Sequence, residues 1–433
     1  MLDNKVAIVI VSGSVGELDW NLEILNLLLN EGFKLKIVIL KRKALKSIKQ
    51  NKMVNDFINQ KNDKIEIIFR GGYFIETIRQ YIYRFYRILI KFKISKYPLM
   101  GNIFNLFNMI FQKVFSHCLP SSVLSNKSKK YLFLSEFPIL RRPWDAWIRK
   151  KFNNSIFLYH PHSQHIYAKN FDNRFPEDKN INYNKNQFLL LGHQLDYLYI
   201  NDGKEYASND LEKVFLGHPS WSQKRINKYK LKEKNLNLNS PTEKKINILI
   251  LSKNYGGFFG KDYHNNLAET TINSIQKIIP NSNIFIKKHP REEESRWDIL
   301  AKKNSSIKVI NDHVQQIAAK VNFVISIWNS ASVDCYAMGI PVIEYYAPNK
   351  FPKGMVFREN EHTSVYRILG LVIPANNEIE LQKAINNLVN TKYTMSFNNT
   401  HAFFKELEIL SNTWEKKIRN ILVAHNLINN DIL

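Results

Sequence analysis

Cysteine occurs only twice in these 433 residues, at Cys118 and Cys335. Two thiols so far apart make no disulfide framework and no thiolate zinc site, so a reducing cytoplasm is the expected location. No signal-peptide pattern is read at Met1-Leu2-Asp3-Asn4-Lys5, which runs straight into a strand-like segment. Acid is scarce beside base, 38 Asp and Glu against 62 Lys and Arg, for a formal net charge of +24. That surplus asks for an anionic partner: nucleic acid, a membrane surface or a phosphorylated substrate. No nucleic-acid-binding motif accompanies it, so a partner of that kind is not expected. Internal repeats, low-complexity tracts and long apolar runs are also missing. The most apolar stretch, Leu99–Phe115, is interrupted by Asn102, Asn105, Asn108 and Gln112. It falls short of the about 20 apolar residues that a membrane span needs.

What is present is a repeated alternation of short aliphatic runs and helical patterns, in a chain long enough for two domains. Val6–Val11 is followed by Ser12-Gly13-Ser14-Val15-Gly16-Glu17 and then by leucines at helical spacing, Leu22, Leu25, Leu28 and Leu29. Lys34–Leu40 closes a βαβ unit, and Ile65–Phe69, Lys130–Ser135, Ser155–Tyr159, Leu195–Ile200 and Lys213–Leu216 read as further strands. The first turn lacks the spacing G-x-G-x-x-G, and no acid ends the second strand, so dinucleotide binding is not supported there. Gly13 and Gly16 instead let the backbone bend close to an acceptor or to a facing domain. Ile246–Leu251 restarts the pattern after a polar linker, residues 218–245. The expected division is an N-terminal domain over 1–217, with an insertion at 73–118, a second domain over 246–400, and closing helices in 401–433.

The insertion interleaves Arg79, Arg84, Arg87, Lys91, Lys93 and Lys96 with aromatics, and Glu76 is the only acid in Tyr73–Phe115. Two readings stay open: a basic, aromatic helix pair lying on an anionic bilayer, or a helical insertion packed on its own domain.

Polar residues gather at the carboxyl ends of the expected strands, where open α/β sheets bind ligands. Ile284–Ile286 leads into Lys287-Lys288-His289-Pro290-Arg291. Phe323–Ser326 leads into Trp328-Asn329-Ser330-Ala331-Ser332-Val333-Asp334, with Ser330 and Ser332 opening a helix. Free N–H groups at a helix start, with Lys288, His289 and Arg291 nearby, suit a diphosphate or phosphodiester. Lys253-Asn254-Tyr255-Gly256-Gly257 forms a flexible loop able to approach the same ligand, with Gly256 at its centre. The fifth candidate strand end, His160-Pro161-His162-Ser163-Gln164-His165, concentrates histidine. Pro161 rules against a helical metal pair and no carboxylates accompany it, so no metal is expected. A general base there is His162 first and His160 second, with Glu17 and Glu136 behind them. Satisfied loop histidines are the other reading.

The run from Leu216-Gly217-His218-Pro219 through Lys287-Lys288-His289-Pro290-Arg291, Val324–Asp334 and Gly339–Tyr345 resembles the GT-B-fold transferases of surface and capsular polysaccharides. It is similar to the CDP-glycerol glycerophosphotransferases of teichoic-acid synthesis and to the sialyl- and Kdo-transferases with a His-Pro motif. The resemblance covers roughly Gly217–Val389, with an echo at Ser12–Glu17 and Tyr159–Ser163. It implies two Rossmann-like domains facing across a cleft, with the final helices crossing back to the first. It implies that His289, Ser330 and Ser332 hold the donor's phosphates, with Ser326 and Asn329 in the same segment, and that Glu344 binds ribose hydroxyls.

The expected activity is transfer of a sugar from a nucleotide-activated donor to a glycan or lipid-linked acceptor, without metal or other cofactor, at the inner face of the plasma membrane. A polyol-phosphate transferase and a nucleotide-sugar 2-epimerase remain as alternatives. Glu17 and Asp19, near the first glycine turn, favour the epimerase; the basic aromatic insertion speaks against it.

Overall fold

The computed structural model describes residues 5–11, 15–71, 78, 81, 109, 119, 121–124, 129–136, 148–149, 151–160, 186–192, 212–236, 245–254, 259–289, 292, 295–350, 363–368, 370–394 and 401–429. Thirteen strands are described: β1 (Val6–Val11), β2 (Lys34–Ile39), β3 (Ile65–Phe69), β4 (Leu132–Ser135), β5 (Ile156–Tyr159), β6 (Gln187–Leu191), β7 (Glu212–Phe215), β8 (Asn247–Leu251), β9 (Asn283–Lys287), β10 (Ile307–Ile310), β11 (Phe323–Ser326), β12 (Val342–Tyr345) and β13 (Ile373–Ala375). They form two sheets, ordered β3-β2-β1-β4-β5-β6-β7 and β10-β9-β8-β11-β12-β13. Every neighbouring pair is parallel. These are the two Rossmann-like domains that the sequence leads one to expect.

Parallel sheets carry helices on both faces, so their central strands are apolar throughout. All six residues of β1 are buried. In β8, Ile248 and Ile250 join one core with helices Lys261–Ile278 and Glu378–Asn390. Leu249 and Leu251, facing the other way, join a second core with Val324, Val342 and Trp221. Strand order reverses between β1 and β4 and again between β8 and β11. Those two switch points open the crevices in which ligands of such sheets lie.

Between the domains the chain passes Gly217, whose φ is +68°. A Cβ there would come within 2.3 Å of the Ser411 nitrogen, so only glycine fits. The following polar stretch holds helix Gln223–Leu236. The C-terminal helix His401–Ala424 returns to the first domain, where Trp414, Ile418, Ile421 and Leu422 complete the core under β1.

Two strands differ from the sequence reading. β6 is Gln187–Leu191, whereas the expected Leu195–Ile200 lies outside the described residues, as does most of the insertion 73–118. β10 is not legible in the sequence because it is a sheet edge, with Lys308 exposed and only Ile307 buried. Among the described residues no helix is long and apolar enough to cross a membrane.

Candidate functional site at the strand ends of the second sheet

The serine segment leaves β11 as a tight, internally bonded turn. The Asn329 N–H donates to Ser326 Oγ at 3.2 Å. The Ser332 hydroxyl donates to the Asn329 carbonyl at 2.6 Å and lies 2.7 Å from Ser326 Oγ. Asn329 Oδ1 accepts the Ala331 N–H at 3.0 Å. The helix expected here is short, Ser332–Ala337, with Ala331 as its N-cap residue. Ser326 and Ser332 are buried and spent on the turn, which leaves Ser330 as the half-buried serine of the three. Trp328 holds φ +43°, costly for a bulky side chain, and Lys253 Nζ lies 4.5 Å from its ring centre.

β9 ends nearby, but not next door: β8 lies between β9 and β11. Lys288 Nζ donates to Asp298 Oδ2 at 2.8 Å. The His289 N–H donates to Glu292 Oε2 at 3.3 Å, and the Glu292 N–H returns to the His289 carbonyl at 2.8 Å, closing a turn. Arg291 and Gly256 lie outside the described residues.

Glu344 is paired in register with Ser326 on the neighbouring strand, but its carboxyl is turned into the interior. It is fully buried at the end of β12, where Arg367 Nε donates to its Oε2 at 2.9 Å and the Ser364 hydroxyl at 2.6 Å. The Arg367 guanidinium also bonds the Glu344 carbonyl and stacks 3.8 Å from the Tyr346 ring centre. Burial raises the Glu344 carboxyl, against the pull of Arg367. This geometry makes it an internal ion pair rather than the exposed ribose ligand that the resemblance implies.

Across the cleft, helix Gly16–Asn30 carries Glu17, Asp19, Trp20 and Asn21. His160, directly after β5, is fully buried: the Trp20 indole donates to its Nε2 at 3.1 Å, and its Nδ1 lies 2.8 Å from Asn21 Oδ1. Glu17 is buried on the same helix, and Glu136 is buried after β4. His162 lies outside the described residues. Trp20 also meets His218, with ring centres 5.0 Å apart, and His218 packs on Trp221 at 3.9 Å. The Trp221 indole reaches Asp334 Oδ1 at 2.7 Å, so one aromatic chain links both domains. Beside it, Asp19 Oδ1 meets His313 Nε2 at 3.2 Å, and Arg225 donates to Glu23 at 2.7 Å and Gln315 at 2.9 Å. Burial raises Asp19, but His313, Arg225 and Lys287 outweigh it and hold it below its ordinary value.

Sequence reasoning did not single out Trp20, Asn21, Ser252 or Glu292 as site residues. The position of Trp20 and Asn21 in the first turns after β1 was the available signal.

The sequence matches no protein-family model and no curated protein. Solved structures do match along the whole chain. The wall teichoic acid polymerase TagF is 11% identical with a TM-score of 0.56, over 98% of this chain and 89% of that one. The UDP-GlcNAc 2-epimerase from Neisseria meningitidis, bound to UDP-GlcNAc, is 12% identical with a TM-score of 0.54, over 97% and 100%. A glycosyltransferase from Rickettsia africae is 12% identical with a TM-score of 0.52, over 98% and 99%. At such identities the likeness establishes the fold, which is the GT-B arrangement.

Proposed function

We propose that this chain is a GT-B transferase that moves a sugar from a nucleotide-activated donor to a glycan or lipid-linked acceptor of the cell surface or capsule. One observation carries the reading: the half-buried Ser330 and the His289 turn stand on either side of β8, at the switch point of the second sheet. Ser330, His289 and Lys288 there offer hydrogen bonds and positive charge to a diphosphate. Donors held in place before reaction stabilise the charge that grows on a leaving nucleotide, so no metal is required. A base on the first domain, His162, His160 or Glu17, takes the acceptor's proton. The net charge of +24 and the basic aromatic segment 73–118 suit an anionic membrane as the place of work. A polyol-phosphate donor would use the same pocket, a reading favoured by the fold shared with the teichoic acid polymerase.

The test is calorimetric titration of CMP, CDP, UDP and GDP onto the parent, His289→Ala and Ser330→Ala. Each substitution is expected to weaken nucleotide binding by about 1.5–3 kcal/mol, the range for a hydrogen bond to a charged group. Parent-like binding by both folded variants would sink the pocket assignment. The whole-length likeness to the meningococcal epimerase keeps one rival reading, a nucleotide-sugar 2-epimerase. Conversion of UDP-GlcNAc to its 2-epimer without any acceptor would decide for that rival.

A further inference from the structure

Beneath the two turns lies a buried carboxylate that phosphate binding, as described, does not use. Glu292 Oε2 accepts the Ser252 hydroxyl at 2.7 Å and the His289 N–H at 3.3 Å. Its Oε1 lies 3.5 Å from Nε2 of His264, and both side chains are fully enclosed. Ser252 is the first residue after β8. Its N–H donates to the Lys287 carbonyl at 3.1 Å, and its own carbonyl accepts Asn329 Nδ2 at 2.7 Å. Asn329 Oδ1 in turn holds the Ala331 N–H. A continuous hydrogen-bonded path therefore runs from the His289 turn through Glu292, Ser252 and Asn329 to the residue beside Ser330. It crosses the one strand that separates the two turns.

On the reading that this pocket holds nucleotide phosphates, we infer that Glu292 is a positioning residue, which with Ser252 and Asn329 fixes the spacing between the His289 turn and Ser330. A full negative charge under an anion site would oppose the ligand. Burial works against that charge: it raises Glu292 and lowers His264, so each is drawn toward its neutral form. The brace thus acts through hydrogen bonds, and a glutamine can replace the acid.

The experiment titrates UDP and CDP onto the parent, Glu292→Ala, Glu292→Gln and Ser252→Ala, and onto Glu292→Ala in a His289→Ala/Ser330→Ala background. Melting temperature is the folding control. Glu292→Ala should weaken binding about tenfold in the parent and less than about twofold in the double variant, because its effect passes through the groups already removed. Glu292→Gln should stay within about threefold of the parent. If Glu292→Ala does not fold, Ser252→Ala breaks the same link more gently and should still weaken binding about threefold. Parent-like binding by the folded Glu292→Ala or Ser252→Ala variant overturns the brace alone, as does an equal loss in both backgrounds. Failure of the parent to bind any of CMP, CDP, UDP and GDP overturns the donor reading, and this inference with it.

Discussion

Trp20 donates its indole N–H to Nε2 of His160 across 3.1 Å, and the far side of that ring faces Asn21 Oδ1 at 2.8 Å. The Asn21 amide nitrogen is committed to the Glu17 carbonyl at 2.7 Å, so its oxygen must be the atom that faces the ring. An amide oxygen only accepts, and an indole N–H only donates. His160 therefore carries its proton on Nδ1 and offers its lone pair to Trp20. A two-bond ¹⁵N–¹H correlation spectrum at neutral pH should show the Nδ1–H tautomer. In Trp20→Phe the Nε2 resonance should shift as the bond is lost; a proton found on Nε2 in the parent would disprove the arrangement. As a base, His160 would first have to shed the indole.

The serines at the end of β11 should separate into two kinds. Ser332→Ala removes a buried hydroxyl that bonds the Asn329 carbonyl and meets Ser326 Oγ, leaving only the Ser332 N–H on that carbonyl. It should cost about 1–2 kcal/mol of stability. Ser330→Ala should change stability by less than about 0.5 kcal/mol. Urea denaturation of the two variants makes the comparison, and equal losses would mean that both serines are structural.

Arg367→Ala should be among the most damaging substitutions in the second domain. It strands the enclosed Glu344 carboxylate, and breaking a buried pair from one side costs about 3–5 kcal/mol. Adding Glu344→Gln to that variant should restore part of the loss. Denaturation midpoints that worsen further in the double variant would contradict a simple ion pair.

Gly217→Ala should destabilise by roughly 2–4 kcal/mol, combining a left-handed backbone with a clash against the Ser411 and Leu410 main chain. Ser411→Gly cannot relieve it, because the clash includes the backbone nitrogen. A melting temperature within a degree or two of the parent would show that the hinge has room to move.

Asp19→Asn tests the contact between the domains. A carboxylate held below its ordinary value adds stability above the unfolded-state value, near pH 4, and loses that stability as pH falls through the lower folded-state value. At pH 7 the variant should be less stable than the parent, and the gap should close as pH falls below about 4. A gap that persists in acid would assign the loss to packing rather than to charge.

Much of the fold is legible in the sequence because strands covered on both faces leave uninterrupted apolar runs, as at Val6–Val11, Ile248–Leu251 and Phe323–Ile325. The edge strand Ile307–Ile310 breaks that rule with Lys308, and so it hides. Strand ends are legible too, which is why His289 and the serines could be picked out. Their partners are not. Glu292 sits in the acidic run Glu292-Glu293-Glu294, which reads as solvated surface, and only Ser252, 40 residues earlier, reveals that it points inward. Glu344 looks available until Arg367, 23 residues later, folds over it.

The return of helix His401–Ala424 into the first domain has a consequence for how the protein is made. Trp414, Ile418, Ile421 and Leu422 fill the core beneath β1, and Lys130 holds the His425 carbonyl at 2.6 Å across 295 positions of sequence. Ribosomes add roughly 5–20 residues each second, so the first sheet waits tens of seconds for its last wall. The second domain has nearly all of its strands and helices before that helix emerges, and it can close first. The half of the chain that is synthesised first is therefore the half that finishes folding last, and in that interval its exposed leucines and isoleucines are what a chaperone would meet.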